Sequence, residues 1–327
     1  MRAGLLPTAA AAVAVAALLP TQLPAQALDV REWPVEWEGR PRDPAVDAQG
    51  RVWFVGQVGN YIGMFEPAWE RFSRFEIEEA TNPHNLIAGT DGGIWYAGNG
   101  NGRIGRLDPA TGKARIIMMP DAAARDPHTL IQRGDDIWFT VQGGGHVGRL
   151  DMKSGEVELL KPPGERTRPY GIALDSKGQA WVNLFGTNRI VAIDPASFTT
   201  VRDISTPRAD ARTRRIAITT DDVVWYVDYA GGRLGRLDPG SGEFEEWVTP
   251  GGEGSQPYAM ALDAQNRIWI AECARGATHL VGFDPKTKQF SHRTPVSSCI
   301  RHMFYHQPTR TIWFGTDANN IGRAILP

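Results

Sequence analysis

One tryptophan recurs at a nearly fixed interval along this chain. It stands in GRVWFV (Trp53), GGIWYA (Trp95), DDIWFT (Trp138), GQAWVN (Trp181), DVVWYV (Trp225), NRIWIA (Trp269) and RTIWFG (Trp313), at separations of 42, 43, 43, 44, 44 and 44 residues. A second phrase keeps step with it. RIGRLDPATGK begins at Arg103, HVGRLDMKSGE at His146 and RLGRLDPGSGE at Arg233, with looser copies from Arg189 and His279. A chain repeated this way builds one small unit several times, and each unit needs its neighbours to cover its apolar faces.

Each unit reads as four short strands. Between Pro169 and Ser205 these are YGIALD, QAWVNL, RIVAIDP and TTVRDIS, with DSKG as the first turn. Alternating apolar, β-branched and aromatic residues favour strands, and Asp, Gly, Pro and Ser punctuate them. In the repeated phrase, Asp108-Pro109 starts a hairpin turn and Gly112 takes the positive φ needed to leave it. A four-stranded unit of about 40–45 residues is the period of a propeller blade. The expected fold is all-β, a seven-bladed β-propeller, with the tryptophans packed between blades. The chain ends on IGRAILP, a third strand, and LDVREWPVEW near its start has the fourth-strand pattern. The N-terminal strand is therefore expected to complete the last blade and close the ring.

The first 27 residues differ from the rest. Arg2 precedes an apolar run from Ala9 to Pro20, and Ala25-Gln26-Ala27 has the form of a cleavage site. This predicts a signal peptide over 1–27 and a single propeller over 28–327 in a periplasmic or secreted protein. The run is too short to span a bilayer, so no membrane attachment is expected after cleavage. The formal charge of −2 becomes −3 without Arg2, the only charged residue of that segment, and there is no long basic run. Nucleic acid is not the expected partner. The chain is read as a monomer. Cys273 and Cys299, the two cysteines, are expected to form a disulfide in an oxidising compartment.

The first strand of each blade lines the channel of a propeller. Counting eleven residues back from each tryptophan, with one fewer in the third unit, gives Arg42, His84, His128, Tyr170, Arg214, Tyr258 and His302. Such side chains bind anions, stack on rings or carry protons, or they plug the channel. The second strands add Gln57, Asn99, Gln142, Asn183, Asp228, Glu272 and Asp317 at the same face. Asp228 and Glu272 are candidates for a general base or a metal ligand. Arg166, Arg168, Arg208, Arg212 and Arg215 add positive charge around blades four and five, which suits an anionic small-molecule ligand. No short His-x-His or Cys-x-x-Cys signature accompanies the ring histidines.

The phrases PHNLIAGTDGGIWYAGNGNGRIGRLDPATG, RPYGIALDSKGQAWVNLFGTNRIVAIDP and QPYAMALDAQNRIWIAECARGATHLVGFDP resemble the virginiamycin B lyase (streptogramin lyase) family of seven-bladed propellers. The resemblance implies Mg²⁺-assisted elimination that opens a cyclic depsipeptide, with a His taking the proton and the metal stabilising the enolate. The family pattern places His at the ring position of the last two blades, Glu two residues before the last of these, and a Glu and a His three and six residues after the last tryptophan. Here those places hold Tyr258, His302, Ile300, Thr316 and Asn319. If the chain is a lyase, the expected catalytic set is His302 as base, Glu272 as metal ligand or second carboxylate for Mg²⁺ or Ca²⁺, and Tyr258 with Arg214 on the substrate carbonyl. Arg42, His84, His128, Tyr170, Arg214 and Asp228 would bind substrate. Two alternatives stand beside it. One is a non-catalytic propeller that holds a peptide, sugar or protein through the same face. The other is a calcium propeller drawing on Glu272, Asn183 and Asn99.

Overall fold

A computed structural model describes residues 26–327. The expected signal peptide lies almost wholly outside the described residues. Seven antiparallel four-stranded sheets follow one another. Their inner strands are Pro41–Val46, Pro83–Ala88, Pro127–Arg133, Pro169–Leu174, Thr213–Ile218, Pro257–Leu262 and Ile300–His306. These define blades one to seven. Asp29–Pro34 pairs antiparallel with Asn320–Ile325, from Asp29 opposite Ile325 to Pro34 opposite Asn320. The N-terminal strand thus completes the last blade as its outer strand and closes the ring. Among the described residues the only helices are two short 3₁₀ turns, Ala122–Ala124 and Gln307–Thr309, and no helix is long and apolar enough to cross a membrane.

The seven repeat tryptophans are buried, Trp313 most exposed at 4%. Each packs against the neighbouring blade: Trp95 of blade two lies in one cluster with Ile137, Phe139 and Leu150 of blade three. Removing one such ring would cost about 3–5 kcal/mol. The turn aspartate serves the same contact. Trp53, Trp95, Trp181 and Trp269 donate their indole N–H to Asp47, Asp91, Asp175 and Asp263 at 2.7–3.1 Å.

The glycine of the repeated phrase has a steric origin. Gly148 pairs with Phe139 across the strands, and a Cβ at Gly148 would run into that phenyl ring. In blade four the aromatic residue is replaced by Val182, and its partner is Val191 instead of glycine. The two positions change together because one space holds both side chains.

Candidate functional site

Every inner strand carries a register slip, between its first and fourth residues in blades two to seven and between Arg42 and Ala45 in blade one. The slip turns two consecutive residues away from regular pairing, and bulges of this kind re-aim side chains. Register identifies equivalent places in each blade. Pro257 pairs with Glu272 and Ile300 with Thr316, each partner three residues past its tryptophan. The ring residue after Pro257 is Tyr258, so its equivalent in blade seven is Arg301. His302 falls one position later. Counting back from Trp313 misses by one because the turn of blade seven, with its 3₁₀ segment, is one residue longer: Met303 pairs with Phe314, whereas Met260 pairs with Ile270.

Two tiers result. The first holds Arg42, His84, His128, Tyr170, Arg214, Tyr258 and Arg301, and the second holds Asp43, Asn85, Thr129, Gly171, Arg215, Ala259 and His302. Asp43 is fully buried. It accepts from Arg42 Nε at 2.9 Å, Asn85 Nδ2 at 3.0 Å and Arg215 Nη2 at 3.1 Å. Arg215 also donates to Thr129 Oγ1 at 3.1 Å and to the carbonyl of Arg301 at 3.3 Å. Asp43 holds a left-handed φ of 46° at its bulge, a conformation that Asp tolerates better than most residues. Blades one, two, three, five and seven are therefore tied together at the axis.

Burial opposes charge on all three axial histidines, and Arg42 and Arg215 add repulsion. His84 and His128 are held well below the ordinary imidazole range. His302 is brought down to about 3, with Asp43 only partly offsetting these effects. The rings of His84 and His128 lie 3.6 Å apart between centroids, tilted by 33°, an arrangement open to neutral imidazoles. Burial also disfavours ionised Asp43, but Arg42, Arg215 and His302 reverse this and hold its carboxyl below the usual range.

Around blades four to six the first tier becomes aromatic. Tyr170 and Tyr258 share a short hydroxyl–hydroxyl hydrogen bond. The Arg214 guanidinium lies 4.1 Å from the ring centre of Tyr229, 4.3 Å from Tyr258 and 4.4 Å from Phe185, and donates to Tyr170 Oη at 3.4 Å. Burial alone would push the Tyr258 phenol up. The charges of Arg42, Arg214 and Arg215 and the bond to Tyr170 bring it down to about 8. Tyr170, more strongly desolvated and next to Tyr258, moves up. Above this cluster opens a cleft of about 520 Å³ whose walls include Arg166, Arg168, Phe185, Arg212, Tyr229 and Gln256. Glu253 also lines it and is paired with Arg233 at 3.1 Å. Arg168 and Gln256 both adopt left-handed φ, 50° and 52°, immediately before a proline. Pre-proline residues ordinarily avoid that region; Arg40 and Asn82 adopt it too, before Pro41 and Pro83, so it belongs to the entry of the blade and not to this cleft alone.

The remaining candidates lie elsewhere. Glu272 is buried at the end of its strand, where it accepts from Gly251 N at 2.5 Å and pairs with Arg293 at 3.3 Å and His279 at 3.7 Å. Asp228 accepts from Arg212 N at 2.8 Å and Ala230 N at 3.1 Å. Both are loop anchors at the rim. Asn183 donates to the Arg215 carbonyl at 2.9 Å and Asn99 to that of Pro127 at 3.2 Å, so the amides tie neighbouring blades and do not converge with Glu272. Cys273 and Cys299 form a disulfide with Cα atoms 4.7 Å apart, bracing blade six to the entry of blade seven.

Asp43, Arg215 and Arg301 are the axial residues that the spacing argument passes over. PRDPAV and TRRIAI carried the signal for the first two, since each sets a charged residue where the other inner strands hold Asn, Thr, Gly, Ala or His. Phe185 and Tyr229, which flank Arg214, follow the second strands in loops where no periodicity marks them.

The sequence profile of the virginiamycin B lyase family matches residues 28–324. The chain belongs to that family. Solved structures agree in fold. Selenomethionine-substituted virginiamycin B lyase from Staphylococcus aureus superposes with a TM-score of 0.82 at 22% identity, covering 92% of this chain and 100% of the other. A catalytically inactive histidine-to-alanine variant of that enzyme, solved with quinupristin, gives 0.83 at 22% identity over the same shares. A streptogramin B lyase structure gives 0.81 at 22% identity, covering 91% and 97%. No curated protein matches the sequence at a significant level.

Within the virginiamycin B lyase family pattern, register corrects the comparison made from sequence. The ring positions of the last two blades hold Tyr258 and Arg301, so neither is histidine. Two residues before Arg301 stands Cys299, locked in the disulfide. Thr316 is buried in the sheet, and Asn319 donates to the carbonyls of Val35 and Trp37 at 3.1 and 3.0 Å, where the N-terminal strand closes the ring. The residues present do not fit a divalent cation. Asp43, the carboxylate of the axial tiers, is taken by two guanidinium groups and an amide, and Glu272 is committed to its loop. Among the described residues no three His, Cys, Asp or Glu side chains cluster as metal ligands.

Proposed function

We propose that this virginiamycin B lyase family member is an exported, monomeric small-molecule-binding propeller, acting in the periplasm or outside the cell, whose ligand is anionic and carries a flat ring. The ligand sits in the cleft over blades four to six, with its carboxylate or equivalent group on Arg166, Arg168 and Arg212 and its ring beside Phe185 and Tyr229. One observation carries this reading: the cleft lined by Arg166, Arg168 and Arg212 also has Phe185 and Tyr229 in its wall, two of the four aromatic rings that pack around Arg214. A guanidinium packed this way keeps its charge at low desolvation cost and adds positive potential behind the cleft wall. Neither nucleic acid nor a membrane is part of this function.

The missing acid–base and metal-ligand set argues against metal-assisted ring opening. His302 is a poor base here, because burial disfavours its charged form and Arg215 and Arg42 repel it. The test has two arms. Native mass spectrometry of the mature chain should reveal a co-purified anion, and calorimetry with small aromatic carboxylates should give binding that Arg214→Ala abolishes. Turnover of a streptogramin B substrate in the presence of Mg²⁺ would overturn the reading in favour of a lyase.

A further inference from the structure

The arginines around blades four and five fall into two groups. Arg215 is held by Asp43 at 3.1 Å, Arg208 by Asp210 at 3.1 Å and Asp228 at 3.7 Å, and Arg233 by Glu253 at 3.1 Å. Among the described residues no carboxylate pairs with Arg166, Arg168, Arg212 or Arg214. The neighbours of this second group are neutral. Arg212 donates to the carbonyl of Ala211 at 2.6 Å, the Arg168 guanidinium lies 5.7 Å from the ring centre of Phe185, and Arg214 is packed among rings. Carbonyls and aromatic faces attract a cation but do not cancel its charge.

Three of the four, Arg166, Arg168 and Arg212, line the cleft of about 520 Å³. Arg166 and Arg168 are exposed and Arg212 is partly exposed, so water and solutes reach them. Glu253, the carboxylate of the lining, is already balanced by Arg233. The cleft therefore carries three uncompensated positive charges, and Arg214 adds a fourth behind its wall.

That surplus discriminates between anionic groups. A carboxylate or a sulfate ester brings one negative charge and leaves most of the surplus in place. A phosphate monoester brings close to two at neutral pH, spread over three terminal oxygens. The planar guanidinium fork binds such oxygens in pairs, and Coulomb attraction grows with the charge of the ligand. The short distance from Arg168 to the Phe185 ring sets the charged and aromatic parts of the cleft side by side, which suits a ring esterified directly. The volume falls within the ordinary range for ligand pockets, about 300–1,000 Å³. Gly186, Ala230 and Gly254 complete the lining without long side chains, so a ring and a tetrahedral group fit together.

We propose that the ligand of this cleft is an aryl phosphate monoester, with its phosphate oxygens on Arg166, Arg168 and Arg212 and its ring beside Phe185 and Tyr229. The proposal rests on the reading of the cleft as a site for an anion with a flat ring, and narrows that anion to a dianion.

The test is calorimetry on the mature chain near neutral pH at one ionic strength. Phenyl phosphate, phenyl sulfate, benzoate and inorganic phosphate are titrated in turn. Phenyl phosphate should bind at least about tenfold more tightly than phenyl sulfate, which has the same ring and a tetrahedral group with one charge fewer. Its advantage should shrink as the pH falls through about 6, where the phosphate takes up its second proton. Arg166→Gln, a change at an exposed side chain, should weaken phenyl phosphate more than benzoate, with the urea midpoint unchanged. Phenyl sulfate or benzoate binding within about twofold of phenyl phosphate overturns the proposal and leaves the anion reading in place. Inorganic phosphate binding as tightly as phenyl phosphate also overturns it, since the ring then contributes nothing. Binding by none of the four overturns both readings.

Discussion

Asp43 of blade one and Arg215 of blade five meet across the propeller axis at 3.1 Å, both buried. They lie 172 residues apart in the chain, and no sheet connects them. An ion pair in such a place is weak support for net stability, but breaking it from one side is costly, because the remaining charges stay buried. Asp43→Ala leaves both Arg42 and Arg215 without their carboxylate. It should destabilise the protein by about 3–5 kcal/mol, read as a lower midpoint in urea at unchanged slope. A loss below about 1 kcal/mol would mean that water replaces the carboxylate, and that the axis is not dry.

The axial histidines set the acid limit of stability. Each has a folded-state value below its unfolded value of about 6.5, so the unfolded chain binds more protons once the pH falls through that value. The stability they support is complete above about pH 6.5. It declines on acidification, by up to about 1.4 kcal/mol per pH unit for each histidine, towards the value of about 3 for His302. Asp43, depressed in the fold, adds a second decline below about pH 4. A denaturation series between pH 8 and pH 4 should show this fall, and His84→Gln should reduce its slope. A profile flat down to pH 5 would show that the imidazoles take up protons in the folded state.

The fold was legible because the blade is written seven times. Trp53, Trp95 and their successors fixed the period, and IGRAILP with LDVREWPVEW fixed the closure. The site was legible only as far as spacing stays uniform. Six ring residues stand where counting puts them, whereas Arg301 escaped notice because one extra turn residue displaced the count onto His302. Glu272 and Asp228 looked functional in sequence because carboxylates at strand ends serve loops and sites equally. Here Glu272 accepts from Gly251 N and Asp228 from Arg212 N, and such partners come from loop conformation, which has no period to read.

Tyr258 offers a spectroscopic handle on the mouth. Its phenol is held at about 8 by three surrounding guanidinium groups despite its burial. An absorbance titration should therefore show one of the seven tyrosines ionising well before the others, near pH 8. Tyr258→Phe should remove that step. Arg214→Ala should move it upward, because one of the stabilising charges is gone while the desolvation stays. An anion bound on the adjacent arginines should likewise raise it, so the same absorbance reports occupancy of the cleft. A single tyrosine transition near pH 10 in the wild-type protein would contradict this electrostatic picture.

The paired positions Phe139 and Gly148 test why the repeated phrase keeps its glycine. Phe139 is fully buried, and its ring occupies the space where a Gly148 side chain would stand. Gly148→Val should therefore destabilise by about 2–4 kcal/mol through overpacking, and Phe139→Val by a comparable amount through the cavity it leaves. The double variant recreates the valine pair found in blade four at Val182 and Val191. Its cost should fall well short of the sum, with a favourable coupling of about 1–3 kcal/mol in a double-mutant cycle. Additive losses would mean that backbone conformation, not shared volume, demands glycine at this place in the blade.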